Sequence, residues 1–418
     1  METKNILCVD LKSFFAACEC VDRGLNMFTT PLVVSDPARG SGAVTLAVTP
    51  YLKSLGVKSR GRIYEIPPVI KYLRVKPRMG LYIAKSKEVI NVYLDFFSKD
   101  DIYIYSVDEV FIDATEYLKL YQKDDYTLAE QLLTTIYERC GLTAVCGIGP
   151  NMLLAKLAMD IEAKKNKDNI AKWNYSDIPK KLWSIEPLSQ MWGIGYGMEK
   201  KLNALGLCSI GDVAHYSKNK LIAKFGVLGG ELWNHSNGID LTTIKECNNR
   251  VVKEKSLSHS QILFKDYYKN NIKIIIREMV LVLMVRLREI NSLTGLIHFG
   301  IGYSKTVGGG FSKSLKLENA TDKEEDIIAL CFNIFAELYE DNKPIRSVHL
   351  SFGKLQAKEY IQLSLFENDK SYKARDTLSH LLDDLHHKYG KNSILNASSL
   401  LKDSTIKSRN EKKGGHSI

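Results

Sequence analysis

Two acids stand side by side inside a strand-like run, YIYSVDEVFIDAT at 103–115. Tyr103, Tyr105, Val107, Val110, Phe111 and Ile112 favour β structure; Asp108 and Glu109 do not, and an unpaired buried carboxylate is costly. A third acid, Asp10, closes another apolar run, KNILCVDL at 4–11. If the fold brings these places together, three carboxylates need a compensating cation. Hard oxygen donors suit Mg²⁺, and carboxylates shared by two Mg²⁺ ions serve in-line phosphoryl transfer. Alone, the Asp108–Glu109 pair reads more readily as the tip of an exposed hairpin; Asp10 at a matching strand end favours chemistry. The first of nine histidines is His215, so chemistry in the N-terminal half does without histidine. That removes most hydrolase triads and zinc sites.

The elements around the acids decide whether they meet. KNILCVDL reads as a buried strand and LKSFFAACECVDRG (11–24) as a helix. PLVVSD (31–36) is a short strand, RGSGAV (39–44) a glycine turn, and TPYLKSLGVK (49–58) a helix stopped at Gly56. GLYIAKSKEVINVYLDFFSKD (80–100) has helical spacing of apolar residues, and the acids then sit in a hairpin. A helix over 124–141, the strand TAVCGIG (143–149) and the helix NMLLAKLAMDIEAKKN (151–166), N-capped by Asn151, follow. With residues 13–80 set aside, the order is β-α-β-β-α-β, the ferredoxin-like order. There the third strand lies between the first and second and runs antiparallel to both. The end of the first strand meets the start of the third, so Asp10 meets Asp108 and Glu109.

The bulk numbers frame this. A chain of 418 residues implies about three or four domains. Hydrophobic content of 45% and charged content of 25% are those of a globular protein. No run of about 18 apolar residues exists, so no membrane span is expected. The start, METKNILCVD, enters a strand at once and is no signal peptide, which points to the cytoplasm. Eight cysteines without a CxxC pair read as reduced and packed. A net charge of +10 suggests a polyanionic partner.

CVDLKSFFAACE (8–19), YSVDEVFIDAT (105–115) and GIGPNMLLAKLAMDIEAKKN (147–166) resemble, in order and spacing, the three catalytic motifs of Y-family translesion DNA polymerases. The resemblance covers about residues 4–366, with LKSLGVK (52–58) matching the UmuC-like (ImpB/MucB/SamB) branch. It implies an α+β right hand. The ferredoxin-like palm would be 1–12 and 82–171, and small fingers 13–81. A helical thumb with a helix-hairpin-helix would be 172–242, a linker 243–249, and an α/β little finger gripping DNA 250–356. The tail would be 357–418. Trp173, Trp183, Trp192 and Trp233 fall together, which supports a separate thumb. LTGLIHFGIGYS (293–304), GGGFSKSLKL (308–317) and RSVHLSFGKL (346–355) read as little-finger strands interleaved with two amphipathic helices. SYKARDTLSHLLDDLHHKYG (371–390) reads as helix, and the basic KSRNEKKGGHSI (407–418) as a flexible end.

The resemblance also implies roles. Asp10, Asp108 and Glu109, with the Leu11 carbonyl, would hold two Mg²⁺. Phe15 would be the ring that excludes a ribose 2′-hydroxyl, and Phe14 would line the nucleotide pocket. Lys164 and, more distantly, Lys53 would touch the triphosphate; Thr49 and Pro50 stand where many relatives place a tyrosine. Gly193 and Gly195, in WGIGYGMEKKLNALGL, would let backbone N–H groups approach a DNA phosphate. Gln362, Leu363, Leu365 and Phe366, in QLSLF, match the peptide that enters the bacterial sliding clamp. Partners would then be primer–template DNA, deoxynucleoside triphosphates and the clamp, with room for an accessory subunit or recombinase filament. The function implied is low-fidelity synthesis past lesions in DNA repair, within the SOS response. Two alternatives share parts of the pattern. A nucleotidyl cyclase uses a similar palm but lacks the thumb glycines and clamp peptide, and no GGDEF-like text appears. A non-catalytic DNA-binding regulator would be free to lose acids, and all three are present.

Overall fold

The structure is a computed structural model that describes residues 4–250, 256–359, 369–413 and 416–417. It divides into two compact units, Met1–Arg250 with His416–Ile418, and Val251–Gly415.

In the first unit the elements run β1 (Ile6–Leu11), α1 (Phe14–Asp22), β2 (Leu32–Val34), β3 (Ala47–Val48), α2 (Pro50–Ser54), β4 (Leu73–Val75) and α3 (Met79–Phe96). Then come β5 (Ile102–Ile104), β6 (Glu109–Asp113), α4 (Thr115–Tyr121), α5 (Asp125–Cys140), β7 (Ala144–Gly149), α6 (Met152–Leu157) and β8 (Ile170–Lys172). The main sheet has the order β5-β6-β1-β7-β8. Its first four strands are the expected ferredoxin-like set, with β6 between β5 and β1 and antiparallel to both. β8, paired parallel to β7, is an addition that the sequence reading missed. β1 is central, so its apolar run packs on both faces. α6 lies against β7 at Gly147, where a Cβ would stand 2.0 Å from the Ala155 carbonyl oxygen. No other residue fits there.

The helix expected over 151–166 is not uniform. Asn151 caps it, accepting the Leu154 N–H at 2.9 Å. After α6 the backbone opens into a π-turn, Ala158–Ala163, in which the Lys164 N–H reaches the Met159 carbonyl at 3.1 Å. A small sheet, β3-β2-β4, has its own core of Val33, Val48, Leu52, Ile63 and Ile66. α7 (Tyr196–Asn203), α8 (Ile210–His215), α9 (Lys218–Phe225) and α10 (Val227–Ser236) form the helical part. Its tryptophans are pinned by hydrogen bonds, Trp183 to the Ser236 carbonyl and Trp233 to that of Tyr216. The linker expected at 243–249 is instead largely helical. α11 (Ile244–Asn248) is tied to β5 through Asn248, whose amide donates to the Ile102 carbonyl at 2.9 Å.

The second unit runs β9 (Ser256–Tyr267), α12 (Ile272–Glu289), β10 (Ser292–Tyr303), β11 (Gly310–Thr321), α13 (Glu324–Leu338), β12 (Ile345–Ala357), α14 (Asp369–Tyr389) and α15 (Ile406–Asn410). Its antiparallel sheet has the order β11-β10-β12-β9. α12 and α13 cover one face over a core of Ile276, Leu283, Phe299, Phe335 and Phe352. The start of the supposed flexible end is ordered. Ile406–Asn410 is helical, and Arg409 donates to Gln261 Oε1 at 2.7 Å and to His259. The reason is a buried acid: Glu278 on α12, 2% exposed, accepts Ser404 Oγ at 2.5 Å and Thr405 Oγ1 at 2.9 Å. Gln362, Leu363, Leu365 and Phe366 lie outside the described residues.

Candidate active site

β1 ends on Asp10 and Leu11, β6 begins on Glu109, and the antiparallel ladder sets Asp10 opposite Glu109. Asp108 adjoins β6, and its carbonyl accepts the Leu11 N–H at 3.0 Å. The backbone thus gathers all three acids at one end of the sheet. Their carboxylates, however, do not meet. Asp10 Oδ2 is 2.7 Å from Lys164 Nζ, and Glu109 Oε1 is 2.8 Å from Lys156 Nζ. Asp108 Oδ1 accepts Ser106 Oγ at 2.6 Å. Among the described residues no three Asp, Glu, His or Cys side chains form a group that could hold a metal. Like charges repel, and each acid here turns to a nearer donor.

Asp160 completes the pattern, 3.1 Å from Lys156 and 2.7 Å from Lys164. Glu109, Lys156, Asp160, Lys164 and Asp10 form one chain of alternating charge. Burial raises the pKa of Asp10; Lys164 opposes the rise and Asp108 adds to it. Burial raises Glu109 too, against the pull of Lys156. Burial works against the charge of Lys156, but its pKa is raised, and the carboxylates of Glu109 and Asp160 beside it favour the ammonium. The Cys8 thiol lies beneath, donating to Glu109 Oε1 at 3.5 Å, its own pKa raised by burial. Lys156 was missed in the sequence reading. Its signal was present: Lys156, Asp160 and Lys164 recur every fourth residue, which stacks them along one helix face.

The donor set fits a hard divalent cation. It offers carboxylate oxygens from two paired strand ends beside the backbone of Leu11, with no soft or nitrogen ligand among them. The two lysines supply the positive charge in this structure.

Phe15 is partly buried and stacks on Tyr82, ring centroids 4.6 Å apart at 20°. The Tyr82 hydroxyl donates to Glu19 at 2.7 Å, and Arg78 holds the same carboxylate at 2.7 and 3.1 Å. Phe14 is 3% exposed and belongs to the main core, its ring 5.7 Å from that of Phe15. Lys53 lies in the last turn of α2; burial lowers its pKa, as does the Lys164 charge, while Asp10 acts in opposition. Lys53 is therefore within electrostatic reach of Asp10 and Lys164. Gly193 has φ +91°, a left-handed conformation, and Gly195 precedes α7; no atom lies within 4 Å of a Cβ built on either. The described residues include no helix long and apolar enough to cross a membrane.

The chain is similar to known proteins along most of its length. Residues 9–160 match the impB/mucB/samB family, residues 254–365 the C-terminal domain of that family, and residues 189–240 a thumb domain described for DNA polymerase iota. The chain is 38% identical to a putative UV-damage repair protein, UvrX, of Bacillus subtilis, over 99% of this chain and 97% of that protein. It is 29% identical to DNA polymerase IV 2 of the same organism, over 100% and 99%. It is 30% identical to DNA polymerase IV 2 of Halalkalibacterium halodurans, over 99% of each. A solved Y-family DNA polymerase chimera of Dbh and Dpo4 superposes with a TM-score of 0.64 at 19% identity, covering 85% of this chain and all of the other. By fold, by motif order and by likeness along its whole length, the chain belongs to the impB/mucB/samB family, the UmuC-like branch of the Y-family DNA polymerases.

Proposed function

We propose that this polymerase copies damaged templates with low fidelity, joining deoxynucleotides to a primer 3′ end by two-metal-ion phosphoryl transfer. The observation that carries the reading is the Asp10–Glu109 register with Asp108 beside it. When bound at these acids, two Mg²⁺ ions would assist attack of the 3′-hydroxyl on the α-phosphorus and steady the departing pyrophosphate. Asp10, Asp108 and Glu109 would hold them with the Leu11 carbonyl. Lys164, now on Asp10, is placed to move to the triphosphate once the acids are neutralised, with Lys53 nearby. Phe15 would underlie the sugar.

DNA would be held without reading sequence. Gly193 and Gly195 leave open backbone for a phosphate in the first unit. In the second unit the sheet face away from α12 and α13 carries small polar residues: Ser314, His298, Ser351 and Ser258 in one row, Ser312, Gly300, His349 and Ser260 in the next. Such a face admits a phosphate backbone closely. Gln362, Leu363, Leu365 and Phe366 would dock in the sliding clamp; an accessory subunit or recombinase filament remains compatible with the branch. The likeness to a UV-damage repair protein supports a role in repair of UV damage, and an SOS role is part of the same proposal.

Primer extension on a defined template tests the reading. Asp108→Asn or Glu109→Gln should abolish nucleotide addition and leave DNA binding nearly intact. Extension by either variant at near wild-type rate would end the two-metal assignment. Replacing Leu365 and Phe366 with alanine should spare single-nucleotide insertion and remove clamp stimulation. A double variant that loses basal insertion as well would mean that the pair packs on the enzyme itself.

A further inference from the structure

We propose that Trp192 and Tyr105 are positioning residues for the polymerase reaction. Their rings lock the glycine loop that would hold the DNA backbone to the strand that carries Glu109, and so set where the primer 3′ end stands relative to the acids. The inference rests on the polymerase reading and on the phosphate contact proposed at Gly193 and Gly195.

The two rings belong to one aromatic block. Tyr105 meets Trp192 edge-on, ring centroids 6.0 Å apart at 78°, and Phe111 lies 6.0 Å from Trp192 and 5.8 Å from Tyr105. Tyr103 closes the block, 6.4 Å from Phe111 and 6.4 Å from Tyr105. Edge and offset contacts of this kind favour particular ring orientations. Phe111 is fully buried and stands two residues after Glu109, so both side chains leave β6 on one face. Cys8 marks that face: it lies opposite Phe111 in the ladder, and its thiol reaches Glu109 Oε1. The backbone adds a second tie. The Tyr105 and Ser106 N–H groups both donate to the Glu109 carbonyl at 3.0 Å, and Ser106 Oγ donates to Asp108. Moving Tyr105 therefore moves the hairpin that carries both acids.

Across the contact stands the loop before α7. The Ile194 N–H donates to the Met191 carbonyl at 3.1 Å, a turn that brackets Trp192 and Gly193. Its ends are fixed, Met191 and Ile194 being 2% and 4% exposed. Gly193 takes φ +91° at the third place of the turn, where a side chain would be strained. The loop thus offers backbone to a phosphate, and a backbone N–H cannot reach out as a lysine does. Where the loop stands is where the DNA stands, and Trp192 joins the loop to β6. Tyr105 is 44% exposed. A ring so open adds little to a core, so its worth lies in its contacts with Trp192 and Phe111. Attack needs the 3′-hydroxyl within about 3–3.5 Å of the phosphorus, and a displacement of about 1 Å can cost about 10²-fold in rate. A fixed path from the phosphate grip to the acids supplies that precision.

Single-nucleotide insertion by the full chain tests this, with melting temperature and the affinity for primer–template duplex in chelator measured on the same preparations. Tyr105→Ala should melt close to wild type, because its ring is open. It should lower kcat about tenfold, with KM for the deoxynucleotide within about twofold and duplex affinity within about threefold, since the phosphate contacts remain. Trp192→Ala should show the same split at a lower melting temperature, and Trp192→Phe should restore most of kcat. Adding Tyr105→Ala to Trp192→Ala should slow insertion no further, since both break one contact. Trp233→Phe, which drops the bond to the Tyr216 carbonyl, should lower the melting temperature and leave kcat within about twofold. Wild-type kcat in Tyr105→Ala would overturn the proposal. So would a loss in Trp233→Phe as large as that in Tyr105→Ala, which would tie kcat to stability alone. A defect of Tyr105→Ala that lies in KM instead of kcat would make Tyr105 a nucleotide contact and overturn it equally. Wild-type protein that extends no primer under any condition would instead overturn the polymerase reading itself.

Discussion

At the scale of the residue, the polar chemistry is held by buried partners that sit far apart in sequence. Glu19 is fully buried, and its carboxylate is shared by Arg78, Tyr82 and Arg23. This cluster fixes Tyr82, and Tyr82 forms the floor beneath Phe15. Tyr82→Phe removes one hydrogen bond to a charged acceptor and should cost about 1.5–3 kcal/mol. Glu19→Ala removes the acceptor shared by Tyr82, Arg78 and Arg23 but leaves Asp22 to both arginines, and should cost about 1.5–3 kcal/mol, read as a fall in the denaturation midpoint. Phe15→Ala should admit ribonucleotides while the fold holds. Unchanged discrimination in a folded Phe15→Ala variant would make Phe15 a core residue. The three carboxylates gathered at the sheet end could be named from their types and their places at strand ends. Glu19 could not, because its meaning depends on Arg78, 59 residues away, and no local pattern announces that pairing.

At the scale of the element, the register of β1 against β6 followed from chain order, because four short strands and two helices admit few ferredoxin-like pairings. What escaped were elements whose apolar pattern is broken by polar contacts. β9 is an edge strand whose slot at 261 holds Gln261, 8% exposed, paired to Thr405 and Arg409 of the C-terminal segment. Without that segment in view, SLSHSQILFKDY alternates poorly. The π-turn escaped because the sequence of a π-turn is still that of a helix. The open face of β10, β11 and β12 carries no motif: serine, glycine and histidine stand at alternate places, with Leu296 and Lys316 in the next row. If it meets a DNA backbone, Ser351→Asp should weaken binding on every sequence tested, and the salt slope should fall by about 1. A variant that binds as wild type would place DNA elsewhere on the unit.

At the scale of the whole molecule, the C-terminal segment is a structural part of the second unit, and its hold is sensitive to pH. His259 on β9 accepts a hydrogen bond at Nε2 from Arg409, which requires that nitrogen to be unprotonated. Burial, with the charges of Arg409 and Arg286 against it, lowers the His259 pKa from 6.5 to about 4. Burial works against the charge of Arg409, and Glu278, held by Ser404 and Thr405, favours it. Between these two pKa values the unfolded chain binds a proton that the folded chain refuses. Stability from this site is therefore complete above about pH 6.5 and is lost as pH falls toward 4, by roughly 3 kcal/mol. Denaturant unfolding of the full chain at pH 7 and pH 4.5 should show this loss, and His259→Asn, which cannot take up a proton, should flatten it. Arg409→Gln should shrink it in part, because burial and Arg286 remain. Other acids and histidines add a background slope, so the decisive quantity is the difference between wild type and His259→Asn on one preparation. Equal slopes in the two proteins would mean that His259 is protonated in the folded state and that Arg409 holds the segment by its bond to Gln261 alone.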